Sequence, residues 1–209
     1  MSQKLRIEGT IFVVDDDEAV RDSLALLLET VGLNVEAFAD ATDVLARCRE
    51  ARPACVVTDV RMPGMDGLEL QQQLSKLHAH VPVIVITGHG DVPLAVKAMK
   101  AGAMDFIEKP FSDDIILASI EAAVRSRQVG KTGGANNVIG KRISRLTPRE
   151  LEVFQQLILG HPNKVIAYNL NISARTVEIH RARVMEKMEA RSLPELVRMA
   201  IEGGVEMPG

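Results

Sequence analysis

Short apolar runs alternate with longer amphipathic stretches over the first 130 residues. The runs at 10–14, 35–38, 55–58, 83–86 and 105–107 read as strands. Three of them are continuous in apolar residues, as expected of strands covered by helices on both faces. Helical periods fall between them, near 18–31, 40–51, 66–78, 91–101 and 113–127. This alternation predicts an α/β fold: a doubly wound (βα)5 domain on a parallel sheet. Beyond residue 143 only helical periods occur, near 147–159, 162–170, 174–188 and 193–202, so the second part is expected to be an all-α, four-helix domain.

The segment Gly130-Lys131-Thr132-Gly133-Gly134-Ala135-Asn136-Asn137 carries Gly and Asn and reads as a flexible linker. The expected division is therefore 1–128, a linker at 129–142, and 143–209. Charge follows it. Residues 1–130 hold 13 basic and 20 acidic residues, whereas 141–209 hold 11 and 8. An acidic half and a mildly basic half suggest phosphate or ion handling in one and nucleic-acid binding in the other. The 209 residues are 46% hydrophobic and 25% charged, which excludes a disordered or collagen-like chain. No apolar run is long enough to span a membrane, and the start of the chain lacks a signal-peptide core, so a cytoplasmic protein with no membrane partner is expected. The two cysteines, Cys48 and Cys55, lie in apolar sequence and read as reduced core residues.

In a doubly wound sheet, ligands bind beyond the carboxyl ends of the strands. Asp15, Asp16 and Asp17 follow the first strand, Asp59 ends the third, Thr87 ends the fourth, and Lys109-Pro110 follows the fifth. Clustered carboxylates need a counter-ion, and an all-oxygen set suits Mg2+. A carboxylate nucleophile, Mg2+, an ammonium and a hydroxyl make a phosphoryl-transfer set. Aspartates at strand ends also cap helices, but capping explains neither Thr87 nor Lys109.

The blocks Val13-Val14-Asp15-Asp16-Asp17, Thr58-Asp59-Val60-Arg61-Met62-Pro63-Gly64-Met65-Asp66-Gly67, Ile86-Thr87-Gly88-His89-Gly90 and Phe106-Ile107-Glu108-Lys109-Pro110-Phe111 closely resemble the receiver domain of two-component response regulators. The resemblance covers roughly residues 8–128. It implies that Asp59 is the phosphoacceptor and that Asp15, Asp16, Asp59 and the Arg61 backbone carbonyl hold Mg2+. It further implies that Lys109 pairs with the phosphoryl group, that the Lys109-Pro110 bond is cis, and that Thr87 and Phe106 form a switch pair, with Phe106 rotating inward. Asp17 is left as an exposed residue leading into a helix.

In the second part, Thr147, Pro148 and Glu150 form a capping box with proline at the first helical position. Leu151, Val153, Phe154, Leu157 and Ile158 make an apolar stripe, and Val165, Ile166 and Leu170 are expected to point inward. Ser173 caps a third helix whose Val177, His180, Arg181, Val184 and Met188 share one face, leaving Arg175, Glu178, Ile179, Ala182 and Arg183 outside. Helix, short turn and basic helix is the plan of a helix-turn-helix DNA reader, and a small dimerisation bundle is the alternative. The block from Asn163 to Arg183 resembles the output domain of the LuxR/FixJ class, over about 143–203. By that resemblance Glu178, Ile179 and Ala182 face base edges, while Lys164, Arg175, Thr176 and Arg183 grip phosphates. Glu178 is acidic where many members are basic. Helix 194–202 would be scaffold or dimer face.

The combined resemblance implies a transcription regulator, not a turnover enzyme: a phosphoacceptor that assists its own phosphorylation and slow dephosphorylation. Its partners would be a sensor histidine kinase, promoter DNA, RNA polymerase, and a second copy of itself once phosphorylated. The stretch from Thr87 to Val96 and that from Ser192 to Ala200 look like the FixJ type. This implies a FixL-like kinase and control, by activation or repression, of oxygen-responsive or nitrogen-fixation genes, with another regulon as the alternative. A Mg2+-dependent phosphatase and a receiver that never takes phosphate are the remaining readings.

Overall fold

The computed structural model describes residues 7–78, 81–88, 92–129 and 135–205. The Gly-rich part of the expected linker, 130–134, and the motif residues His89, Gly90 and Asp91 lie outside them. Two compact units are present, Met1–Gly90 with Ala101–Gly130 and Asp91–Lys100 with Lys131–Gly209. The sequence-based division differs at residues 91–100, which it puts in the first part.

Five strands, β1 (Thr10–Val14), β2 (Asn34–Phe38), β3 (Cys55–Asp59), β4 (Val83–Thr87) and β5 (Asp105–Glu108), form one sheet in the order β2-β1-β3-β4-β5. All pairings are parallel. Helices α1 (Glu18–Thr30), α2 (Ala41–Glu50), α3 (Gly67–Leu77), α4 (Val92–Lys100) and α5 (Asp113–Val129) connect or follow the strands. All ten elements match the sequence expectation to within about two residues, as helix ends commonly vary. The strand runs explain the layering. Ile11, Val13, Val57, Ile84 and Ile86 share a buried core with Leu24 and Leu28 of α1 and with Ile116, Ile120 and Ala123 of α5. The alternate positions Phe12, Val14, Val56 and Val85 are also buried, on the opposite face. Strand order reverses between β1 and β3, so a crevice is expected where those two strands end.

Several aspartates do cap helices. Asp17 accepts from Ala19 N–H and Val20 N–H at the start of α1, Asp40 caps α2, and Asp66 makes a capping box with Glu69 on α3. Asp15 and Asp59 cap nothing.

The second unit contains α6 (Ala135–Ile143), α7 (Pro148–Ile158), α8 (Asn163–Leu170), α9 (Ala174–Met188) and α10 (Leu193–Glu202). The last four are the expected helices. Helix α6 is a correction, because the sequence reading placed no helix within 129–142. Its Ile139 is 5% exposed and packs against Gly203, where an added Cβ would come within 2.7 Å of Ile139 Cγ2. Three branched apolar side chains of which only Ile139 is buried, on a nine-residue helix, are too weak a period to read from sequence. Val153, Phe154, Leu157, Ile166, Val177, Val184 and Met188 form the core. Val165 is corrected outward, at 40% exposed. On so short a helix only the Ile166–Leu170 line, four residues apart, faces in.

Candidate functional site

At the carboxyl edge of the sheet, the expected residues converge. Asp15 sits one residue past β1, anchored by its N–H to the Phe38 carbonyl at 3.2 Å. Asp59 closes β3. Lys109 follows β5, and its N–H donates to the Thr87 carbonyl at 2.8 Å, which carries the β4–β5 pairing one residue further. The Lys109 ammonium then reaches back across the crevice. Nζ lies 2.7 Å from Asp15 Oδ2 and 2.8 Å from Asp59 Oδ1. The side chains of Asp15 and Asp59 are only 2% and 9% exposed. Burial works against the ammonium charge, but the hydrogen bonds it donates to both carboxylates outweigh it and raise the Lys109 pKa. Lys109 is therefore a firmly protonated bridge between two buried carboxylates.

The remaining oxygens are also held. Asp59 Oδ2 accepts from Arg61 N–H at 2.6 Å, and Asp15 Oδ1 accepts from Asp17 N–H at 3.0 Å. Asp16 is exposed, and among the described residues its carboxylate has no hydrogen-bond or ion-pair partner. Thr87 is buried, and so is Phe106, at 8% exposed. The Lys109-Pro110 peptide is cis.

Among the described residues no three carboxylate, imidazole or thiol groups stand together as a ready cation cluster. Lys109 lies between Asp15 and Asp59 instead. The donor chemistry nevertheless fits a hard cation. Each bonded carboxylate oxygen keeps a spare lone pair, Asp16 is unengaged, and every candidate donor is oxygen.

Sequence reasoning missed two parts of this site. One is the Arg61 N–H, which a motif gives no means of orienting. The other is Gly67, the first residue of α3. A Cβ there would lie 2.0 Å from the Asp59 carbonyl oxygen and 3.1 Å from Thr58 Oγ1. Only glycine lets α3 begin so close to Asp59, and the motif ending Asp66-Gly67 was the available signal.

In the second unit, the expected DNA-facing side chains lie on α8 and α9. Lys164, Arg175, Glu178, Ile179, Ala182 and Arg183 are exposed, and Thr176 is half-buried. Ile179 is 49% exposed although apolar. Ser173 Oγ accepts from Thr176 N–H at 3.0 Å and lies 2.7 Å from Thr176 Oγ1. Asn171, with φ of 52°, makes the left-handed turn between α8 and α9. Arg149 Nη2 donates to the Leu170 carbonyl at that turn at 2.6 Å. Glu150, 3% exposed in its side chain, accepts from Lys187 of α9 at 2.6 Å and from Thr147 N–H at 2.8 Å. Those bonds, the Lys187 one first, bring its carboxyl down to about 2. His180 and Arg181 are half-buried beside Val177 and Val184, and Arg181 donates to Asn163 Oδ1 at 3.3 Å. The helix-turn-helix is thus braced from α7, leaving a mixed basic and apolar face on α9 free.

Comparison with known proteins agrees with both halves. Residues 11–121 match the response regulator receiver domain, and residues 144–200 match the bacterial regulatory proteins of the luxR family. The transcriptional regulatory protein FixJ of Azorhizobium caulinodans is 54% identical over 196 residues, covering 93% of each chain. FixJ of Rhizobium meliloti is 50% identical over 93% of this chain and 96% of its own. The crystal structure of full-length FixJ from B. japonicum aligns with a TM-score of 0.57 at 48% identity, over 96% of this chain and 100% of that one. The chain belongs to the two-component response regulators of the LuxR class, as a FixJ-like transcription regulator with a receiver domain followed by a helix-turn-helix DNA-binding domain.

Proposed function

We propose that Asp59 accepts a phosphoryl group from the phosphohistidine of a sensor kinase and that this modification controls DNA binding. The observation that carries the reading is the Lys109 bridge to Asp15 and Asp59 at 2.7 and 2.8 Å. An ammonium held there sits against the Asp59 nucleophile and waits where phosphoryl charge will develop. Attack by an Asp59 oxygen forms the O–P bond as the P–N bond to the donor imidazole breaks. Mg2+ held by Asp15, Asp16, Asp59 and the Arg61 carbonyl would neutralise phosphoryl oxygens when bound. Lys109 then pairs with a phosphoryl oxygen, and the Thr87 hydroxyl donates to another. Phe106, 8% exposed, turns further inward to fill the space that Thr87 vacates.

The phosphorylated receiver pairs with a second copy, and two helix-turn-helix domains bind two half-sites of promoter DNA. Lys164, Arg175, Thr176 and Arg183 grip phosphates; Glu178, Ile179 and Ala182 face bases. A single mildly basic domain binds weakly, so dimerisation supplies affinity through effective concentration. The FixJ likeness supports a FixL-like kinase, recruitment of RNA polymerase, and activation of oxygen-responsive or nitrogen-fixation genes. We assign the receiver to 1–128 and the DNA-binding domain to 143–209, in a protein that works in the cytoplasm. Intact mass after incubation with Mg2+ and acetyl phosphate tests the chemistry. Wild type gains one phosphoryl group and Asp59→Asn gains none; equal uptake by both would refute the assignment.

A further inference from the structure

We propose that Arg21 is a positioning residue for the cation site, a role that rests on the reading of Asp15, Asp16 and Asp59 above. Arg21 lies one turn into α1, where a cation works against the helix dipole. Its placement therefore needs a local reason. Its Nη1 donates to the Asp15 carbonyl at 2.8 Å and reaches the Asp16 carbonyl at 3.5 Å. Both carbonyls belong to the short link between β1 and α1, which the sheet and helix ladders leave unpaired. One half-buried guanidinium thus fixes the two peptide groups that carry the acidic side chains.

The consequence differs between the two aspartates. Asp15 is also held by Lys109 and by the Asp17 N–H. Asp16 has no side-chain partner among the described residues, so only its backbone sets where its carboxylate stands. That backbone is what Arg21 grips. Without it, a cation binding here must order Asp16 itself. Groups that orient ligands typically contribute about ten- to a hundredfold to metal affinity. Simple charge makes the opposite prediction, because a guanidinium near a dication repels it, and its removal would tighten binding. The sign of the effect therefore separates positioning from charge.

The test uses the full-length protein. Mg2+ affinity is measured by calorimetric titration with MgCl2 alone, for wild type, Arg21→Met and Arg21→Lys. Acetyl-phosphate uptake is then followed by intact mass across a Mg2+ series, with melting temperatures to verify that each variant folds. Positioning predicts that Arg21→Met raises the Mg2+ Kd about tenfold. Arg21→Lys, which keeps the charge but has a shorter reach and cannot set its ammonium where Nη1 stands between the two carbonyls, falls between the two. At saturating Mg2+ both variants regain an uptake rate within about twofold of wild type, since only the Mg2+ requirement has moved. An Arg21→Met that binds Mg2+ as well as or better than wild type overturns the inference, as does an Arg21→Lys indistinguishable from wild type. Wild type that neither binds Mg2+ nor takes phosphate would sink the underlying site reading, an outcome visible without either variant.

Discussion

Lys109→Met leaves two buried carboxylates facing each other with nothing between them. Because one nitrogen touches both, Asp15 Oδ2 and Asp59 Oδ1 lie at most about 5.5 Å apart, given the 2.7 and 2.8 Å contacts. At an effective dielectric of about 20, two unit charges at that separation repel by about 3 kcal/mol. Removing one partner from a buried ion pair typically costs about 3–5 kcal/mol, which agrees. The variant should therefore lose about 3 kcal/mol of receiver stability, or about 10 °C in melting temperature for a domain of this size. Calorimetry on the full-length protein at neutral pH and without Mg2+ reads this directly. Two companions fix the cause. Asp59→Asn combined with Lys109→Met removes the repulsion and should recover most of the loss. Millimolar Mg2+ should also recover it, by replacing the missing cation. A Lys109→Met protein melting within about 2 °C of wild type would refute the reasoning, as would a double variant no better than the single one.

Gly67→Ala places a Cβ 2.0 Å from the Asp59 carbonyl, so it should cost about 2 kcal/mol by denaturant unfolding and slow acetyl-phosphate uptake at Asp59. Glu150→Gln breaks the tie to Lys187 and should destabilise the DNA-binding domain by about 2 kcal/mol, moderated because Lys187 is a third exposed. Its carboxyl is depressed from 4.5 to about 2, so the tie is fully present above about pH 4.5 and lost as pH falls through about 2; acid unfolding followed by circular dichroism should show that component in wild type and lack it in Glu150→Gln. Arg183→Ala should weaken binding to all DNA sequences alike and reduce the salt slope by about 1, measured by anisotropy across a salt series.

How far the sequence could be read depends on what each residue's role requires. Asp15, Asp59, Thr87 and Lys109 were legible because a parallel sheet brings its strand ends to one edge, and strand ends can be located from apolar runs. Ile179 was legible because helical periodicity alone puts it outside. The Arg61 N–H and the Arg21 grip on two carbonyls were not, since backbone groups leave no trace in residue identity. Gly67 matters for the space its missing side chain leaves, which only coordinates measure. Helix α6 escaped because its hold on the domain rests on distant partners, Ile139 against Gly203, 64 positions away, and Arg142 on the Met188 carbonyl and Glu189. Val165 was misplaced because an eight-residue helix spans barely two turns, too few for a period to separate neighbours.

The account's central claim is that phosphate on Asp59 governs DNA binding. Its most direct test is anisotropy on an operator fragment selected by the protein from random DNA, for wild type and Asp59→Asn, each with Mg2+ and with or without acetyl phosphate. The account predicts that acetyl phosphate tightens wild-type binding at least tenfold and makes it steeper in protein concentration, as dimerisation requires, while Asp59→Asn stays at the weak level in both conditions. Wild type that binds equally well with and without acetyl phosphate, or Asp59→Asn that tightens alongside it, would contradict the claim.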